Sequence, residues 1–311
     1  MTDVENYRLR TVPVTGGDLT VGVWGRQDAP VVLAVHGVTA SHRCWPLVAE
    51  HLPGLRIIAP DLRGRGRSNT LPGPFGMAQH ADDLARVLDG FGVDRALVLG
   101  HSMGAFASVV LADRHPSRVS ALVLVDGGLP LTVPEGMSSE EFTRAVLGPA
   151  AERLSMTFAS REEYAQFWKA HPAFAGAWND TVANYIDYDL TGDEGHWHAS
   201  TAYQAVAEDS AELSGSDTVI HALDALAHPA TFLRAPRGLQ NEPRALYSPE
   251  DAARWRQRVP GLSMREVDAV NHYTIVMSDR GAAAVATAVL DTIELSTIRG
   301  AAAGNEATQR S

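Results

Sequence analysis

The sequence predicts an α/β fold in which a mostly parallel sheet is flanked by helices and interrupted late by a helical insertion. Three observations predict it. Continuous apolar, β-branched runs recur along the chain, as strands buried on both faces require. Helical patterns separate these runs, the alternation from which parallel sheets with crossover helices are built. That alternation breaks after Asp126 and resumes only at Thr231.

Tyr7–Val14 and Leu19–Trp24 read as two opening strands joined through the turn Gly16-Gly17-Asp18. Val31–Val35, Arg56–Pro60 and Arg95–Leu99 follow as buried strands, and Val119–Val125 is the strongest of the set. Helices over Cys44–His51, Met77–Gly90 and Met103–Arg114 lie between them. From Pro130 to Leu226 the patterns are mainly helical, as in Glu140–Leu147 and Arg161–Ala170. Strand Thr231–Arg234, a helix around Asp251–Arg258, strand Ser263–Val267 and a last helix from Arg280 to Glu294 complete the reading. Residues 301–311 are small and polar and read as a frayed, flexible tail. The expected division is a core of 1–129 and 227–300, an insertion of 130–226, and that tail.

Composition narrows the function. Over 311 residues, 45% are hydrophobic and 20% charged, enough apolar material for a sizeable core and too much for a disordered chain. A formal charge of −11 with no basic block argues against nucleic acid and anionic membrane surfaces as partners. No apolar run approaches the roughly 20 residues that span a bilayer. Met1–Arg10 lacks the apolar stretch of a signal peptide. Cys44 is the only cysteine, which excludes an intrachain disulfide and a thiolate metal cluster. The pair His196 and His198 lacks a third ligand at metal spacing. The expectation is a cytoplasmic protein acting on a small apolar molecule without cofactor or metal, its oligomeric state (monomer or homodimer) open.

The chemistry centres on Gly100-His101-Ser102-Met103-Gly104, which follows a strand and opens a helix. Small residues in that context let the strand turn sharply and leave Ser102 exposed at the sheet's carboxyl edge. The helix N-terminus supplies unpaired N–H groups where an oxyanion would form. A serine hydroxyl needs a base to take its proton. His272, in a loop just past Ser263–Val267, is the candidate. His36-Gly37-Val38-Thr39 ends the strand Val31–Val35, and the N–H groups of Val38 and Met103, with Gly37 nearby, are the expected oxyanion hole. His36 itself reads as a hydrogen-bonded structural residue.

On these residues, and on the loop Asp61-Leu62-Arg63-Gly64-Arg65-Gly66-Arg67-Ser68, the chain resembles the α/β-hydrolase superfamily over nearly its whole length. The resemblance implies an eight-stranded, mostly parallel sheet and a helical cap inserted after the sixth strand. It makes the Asp61–Ser68 loop a turn scaffold whose arginines are solvated or paired with carboxylates. Dehalogenase and epoxide hydrolase relatives carry aspartate where this chain has Ser102. The triad acid departs from the commonest pattern, which places it after the seventh strand. That stretch here offers Glu242 beside Asn241, whereas Asp126 directly follows the sixth strand. Asp126 is the favoured acid and Glu242 the alternative; as a plain turn residue before Gly127-Gly128, Asp126 would have no catalytic role. The interval from Ser102 to Asp126 also resembles zearalenone-type lactonases.

Residues 130–228 hold 11 of the 21 aromatic residues, so the insertion is the expected wall of an apolar pocket. Trp197, Tyr188, Phe158 and Trp178 are its candidate substrate contacts. The expected reaction is hydrolysis of a carboxylic ester or lactone through an acyl-enzyme, a zearalenone-type lactonase being favoured. A thioester, an amide or a carbon–carbon bond is the alternative on the same constellation, and a ligand receptor with degenerate activity the third.

Overall fold

A computed structural model describes residues 7–133, 136–138, 141 and 152–309. Strands β1 (Arg8–Val14), β2 (Gly17–Trp24), β3 (Val31–Val35), β4 (Arg56–Pro60), β5 (Ala96–His101), β6 (Val119–Val125), β9 (Ala230–Arg234) and β10 (Leu262–Glu266) form one eight-stranded sheet. Between β6 and β9, a two-stranded ribbon pairs β7 (Leu190–Thr191) with β8 (His198–Ala199). The sheet order is β1-β2-β4-β3-β5-β6-β9-β10. β1/β2 and β2/β4 are antiparallel, and every other neighbouring pair is parallel. Strands β3, β4 and β6 keep the bounds read from their apolar runs, because a strand covered on both faces has no polar position to blur its ends.

Helices α1 (Pro46–Glu50), α2 (Met77–Gly90), α3 (Met103–Arg114), α8 (Pro249–Arg258) and α10 (Asp279–Gln309) accompany the sheet. α2 turns Met77, Ala81, Leu84 and Leu88 into the same apolar cluster as Leu33, Val98 and Leu122. The opposite face packs Leu99, Val123 and Leu233 against Val285, Ala286 and Val289 of α10. α10 continues through residues 301–309, where the sequence predicts a frayed tail. The three alanines 301–303 have the highest intrinsic helix propensity, which carries the helix on.

After β6 come α4 (Arg161–Lys169), α5 (Asp180–Asp189), α6 (Tyr203–Ser210) and α7 (Asp217–Asp224). The helix expected over Glu140–Leu147 lies, apart from Glu141, outside the described residues. The β7–β8 ribbon was not foreseen, since two-residue strands carry no periodic signal. Val219, Ala222 and Leu223 of α7 join the core cluster of α3, so the expected boundary at 226 falls after a helix already packed with the core. No described helix is long and apolar enough to cross a membrane.

Buried carboxylates tie the inserted helices to the core. Asp61, at the end of β4, accepts from the His42 backbone N–H at 2.9 Å and is 2.7 Å from His42 Nδ1. Its other oxygen accepts from Arg67 N at 2.9 Å and from the Tyr188 hydroxyl of α5 at 2.7 Å. Asp209 of α6 reaches Arg65 Nη1 at 2.5 Å, His80 Nε2 at 2.9 Å and Gly76 N at 2.6 Å. Burial would raise both carboxyls, but His42 for Asp61, and His80 with Arg65 for Asp209, hold each at about 2. A folded value below the unfolded one, about 3.9, gives stability that is complete above that pH and drains as pH falls through about 2. Asp209→Asn leaves Arg65 buried without its counter-charge, which costs about 3–5 kcal/mol near neutrality. The variant should also flatten the acid limb between about pH 4 and pH 2. Urea unfolding across pH checks both, and a variant as stable as wild type at neutral pH would contradict the assignment.

Candidate active site

The site sits where the chain switches direction across the sheet. β3 lies between β4 on one side and β5 on the other, and a crevice opens outside the carboxyl ends of strands at such a point. β5 delivers Ser102, β6 delivers Asp126, and the loop after β10 delivers His272.

Ser102 has φ 55° and ψ −127°, a strained conformation for a residue with a side chain. Its N–H is held by the Val125 carbonyl at 2.9 Å. The turn needs bare backbone behind it: a Cβ on Gly104 would lie 2.2 Å from the Val35 carbonyl oxygen. Gly37 leans on the same serine, where an added Cβ would stand 3.0 Å from the serine Cβ.

The predicted acid and base converge on Ser102. His272 Nε2 is 3.0 Å from Ser102 Oγ, and His272 Nδ1 is 2.7 Å from Asp126 Oδ2. A carboxylate can only accept from Nδ1–H, so Nε2 is left as the proton acceptor facing the hydroxyl. Asp126 is fully buried at φ 45°, and its second oxygen accepts from Ala235 N at 3.1 Å. Glu242, the alternative acid, turns into its own loop and accepts from Gln240 N at 2.7 Å. Its carboxylate forms no hydrogen bond with His272, whose ring nitrogens meet Asp126 and Ser102.

Two polar residues outside the prediction hold the histidine loop. Asn271 donates to the Ala173 carbonyl at 2.8 Å and accepts from Tyr273 N and Thr274 N at 3.0 and 2.9 Å. These bonds start the short helix α9 (Thr274–Met277) directly after His272. His101 donates from Nε2 to the His272 carbonyl at 2.8 Å. Burial, and then the neighbouring His272, push the His101 imidazole well below its ordinary range, so it stays neutral. The sequence signal for both was adjacency to a catalytic candidate.

His36 behaves as a structural residue. Its Nε2 accepts from Leu62 N at 2.9 Å, which leaves Nδ1 to donate to the Gly37 carbonyl at 2.8 Å. Burial pulls it down to about 4 against the pull of Asp61. Met103 follows Ser102 and opens α3, where N–H groups have no helical acceptor, and Val38 lines the same cavity as Ser102. Arg65 braces the pair, with Nε donating to the Val38 carbonyl at 2.9 Å and Nη2 lying 3.7 Å from Met103 Sδ. Arg63 pairs with Asp83 at 2.9 Å. Arg63 and Arg65 are therefore buried and paired, not solvated.

A cavity of about 30 Å³ opens above Ser102. Besides the triad loops it is walled by Ala40, Cys44, Tyr185, Leu239, Tyr273, Val276 and Met277. Burial pushes the Cys44 thiol well above its ordinary range, which leaves it a protonated wall atom and not a nucleophile. The four aromatic candidates from the sequence do not line this cavity. Phe158 is buried against Tyr164 and Phe167, Trp197 lies under Arg161 at 4.3 Å, Trp178 under Lys169 at 5.4 Å, and the Tyr188 hydroxyl is spent on Asp61. Their rings serve packing of the insertion. Among the described residues no group of three His, Cys, Asp or Glu side chains is arranged to hold a metal ion.

A family model described as alpha/beta hydrolase fold matches residues 30–197, more than half of the chain. The chain belongs to the α/β-hydrolase family. It is 34% identical over 173 residues to lipase LipV of Mycobacterium tuberculosis, covering 56% of this chain and 60% of that protein. It is 35% identical over 137 residues to the bifunctional esterase/perhydrolase DCH of Acinetobacter calcoaceticus, covering 41% of this chain and 49% of that one. The matches thus span about half to three fifths of these relatives' lengths. Among solved structures, E-2-(acetamidomethylene)succinate hydrolase superposes with a TM-score of 0.76 at 20% identity, over 93% of this chain and 100% of that one. At that identity the likeness concerns the fold.

The choice of acid is open to direct measurement. Asp126→Asn should lower kcat by about 10³–10⁴-fold through loss of the correct histidine tautomer, with Glu242→Gln within about threefold of wild type. Initial rates on an activated aryl ester rank the two, and the reverse ranking would move the acid to the loop after β9.

Proposed function

We propose that the protein is a carboxylic ester hydrolase working through an acyl-enzyme on Ser102. The observation that carries the reading is the unbroken chain Ser102–His272–Asp126, with contacts of 3.0 and 2.7 Å, beneath a largely apolar cavity. Ser102 Oγ attacks the ester carbonyl carbon while His272 Nε2 takes its proton, and Asp126 stabilises the imidazolium. The oxyanion is held by the N–H groups of Val38 and Met103. Collapse expels the alcohol, which leaves with the proton from His272. Water then attacks the acyl carbon, His272 accepts its proton, and Ser102 departs reprotonated as the carboxylic acid is released. These steps draw on no cofactor.

The cavity walls favour an apolar acyl group, and a space of about 30 Å³ favours a short one with the inserted cap in this position. The position of Asp126 directly after β6 favours a second reading, opening of a zearalenone-type macrolactone, for which the cap would have to shift outward. The relatives named lipase and esterase support ester chemistry in general. The proposal keeps a cytoplasmic setting and a small apolar substrate.

Mass analysis of products from a short aryl ester and from zearalenone, with wild type and Ser102→Ala, tests both readings. Ester cleavage should fall at least about a thousandfold in the variant at unchanged melting temperature. Ser102-dependent opening of the macrolactone would establish the second reading. Near-normal turnover by Ser102→Ala would remove the serine mechanism altogether.

A further inference from the structure

We propose that the cleft between β1, the start of β4 and the end of α2 binds a small polyanion of the phosphate class. The cleft has a volume of about 240 Å³ and is lined by Arg8, Arg10 and Arg56 together with Gln27 and Phe91. Arg8 and Arg10 are two residues apart on the edge strand β1, so both project from one face. They stand opposite Val23 and Val21 of β2. Arg56 is the first residue of β4.

Three guanidinium groups around one cavity repel one another, and nothing described nearby cancels the charge. Among the described residues none of the three has a carboxylate partner. Two described acidic residues beside the lining residues are already engaged, Asp28 with Arg26 at 2.6 Å and Asp89 with Arg118 at 2.6 Å. After burial, the charges of Arg8 and Arg10 are what lower the Arg56 value. This concentration of positive charge occurs in a chain of net charge −11.

Arg56 is also held ready. Its Nη1 donates to the Gln27 carbonyl at 3.3 Å, its guanidinium lies 5.1 Å from the Phe91 ring centroid, and its buried Nε has no partner. A fixed planar donor with unused N–H groups suits an oxyanion. Three positive charges exceed what one carboxylate neutralises, whereas a phosphate-class anion offers several oxygens and more than one charge to share among them. Arg56 marks the amino end of β4, while Ser102 follows the carboxyl end of β5, so this cleft is at the opposite end of the parallel strands from the hydrolytic site. The inference is independent of the proposed ester chemistry.

Isothermal titration of the full chain with inorganic pyrophosphate, at about 0.1 M ionic strength, tests it. Arg8→Gln, Arg10→Gln and, as a control, the exposed Arg256→Gln are titrated alongside, with melting temperatures confirming folding. Saturable one-to-one binding by wild type is expected, weakened about tenfold or more in Arg8→Gln and Arg10→Gln, which corresponds to loss of a charge-assisted contact. Arg256→Gln should bind as wild type, and ester hydrolysis should be unchanged in all three. Absence of binding by wild type would overturn the proposal. So would wild-type affinity in both cleft variants, or an equal loss in Arg256→Gln, which would make the attraction diffuse.

Discussion

The 2.7 Å hydrogen bond between His272 and the buried carboxylate of Asp126 is the contact on which the site depends. It selects the ring tautomer, and the tautomer decides whether a lone pair or a proton faces Ser102. Each partner is held by backbone bonds from another strand or loop. Asp126 is anchored through its own N–H to Leu233 of β9 and through its side chain to Ala235. His272 is anchored by His101 from β5 and by the turn that Asn271 makes.

A second constraint connects the inserted helices to the same centre. Asp209 belongs to α6, yet its ion pair holds Arg65, and Arg65 in turn holds the Val38 carbonyl and touches Met103. The two peptides proposed to receive an oxyanion are thus braced by a side chain whose counter-charge comes from the insertion. Asp61 makes a parallel connection through Tyr188 to α5. Such fully buried pairs add little net stability over an apolar alternative, because desolvation offsets the attraction. Their consequence here is geometric: docking of the insertion and the shape of the site are set together.

Legibility from the sequence followed the range of each interaction. β3, β4 and β6 were readable because burial on both faces leaves an uninterrupted apolar run. Ser102 and His272 were readable because a strand–turn–helix context and a loop after the last strand are local features. Asp126 could be singled out over Glu242, but only the fold shows Glu242 closed on Gln240. The walls of the cavity were not readable. Tyr185 reaches it from α5 and Met277 from α9, which meet only when the insertion docks. Trp197 and Phe158 looked equally suited from composition, yet are consumed in pairing across the insertion, where their backbones bridge. The sequence leaves open whether the arginines of the Asp61–Ser68 loop are solvated or paired, because the partners of Arg63 and Arg65, Asp83 and Asp209, are remote in sequence.

Rapid-quench mass spectrometry of the wild-type chain during turnover of an activated aryl ester addresses the covalent step itself. The account requires the mass of the acyl group on the peptide containing Ser102, appearing within the first turnover and lost on hydrolysis. Turnover with no acylated Ser102 peptide, or with the acyl group on another residue such as Cys44, would contradict it.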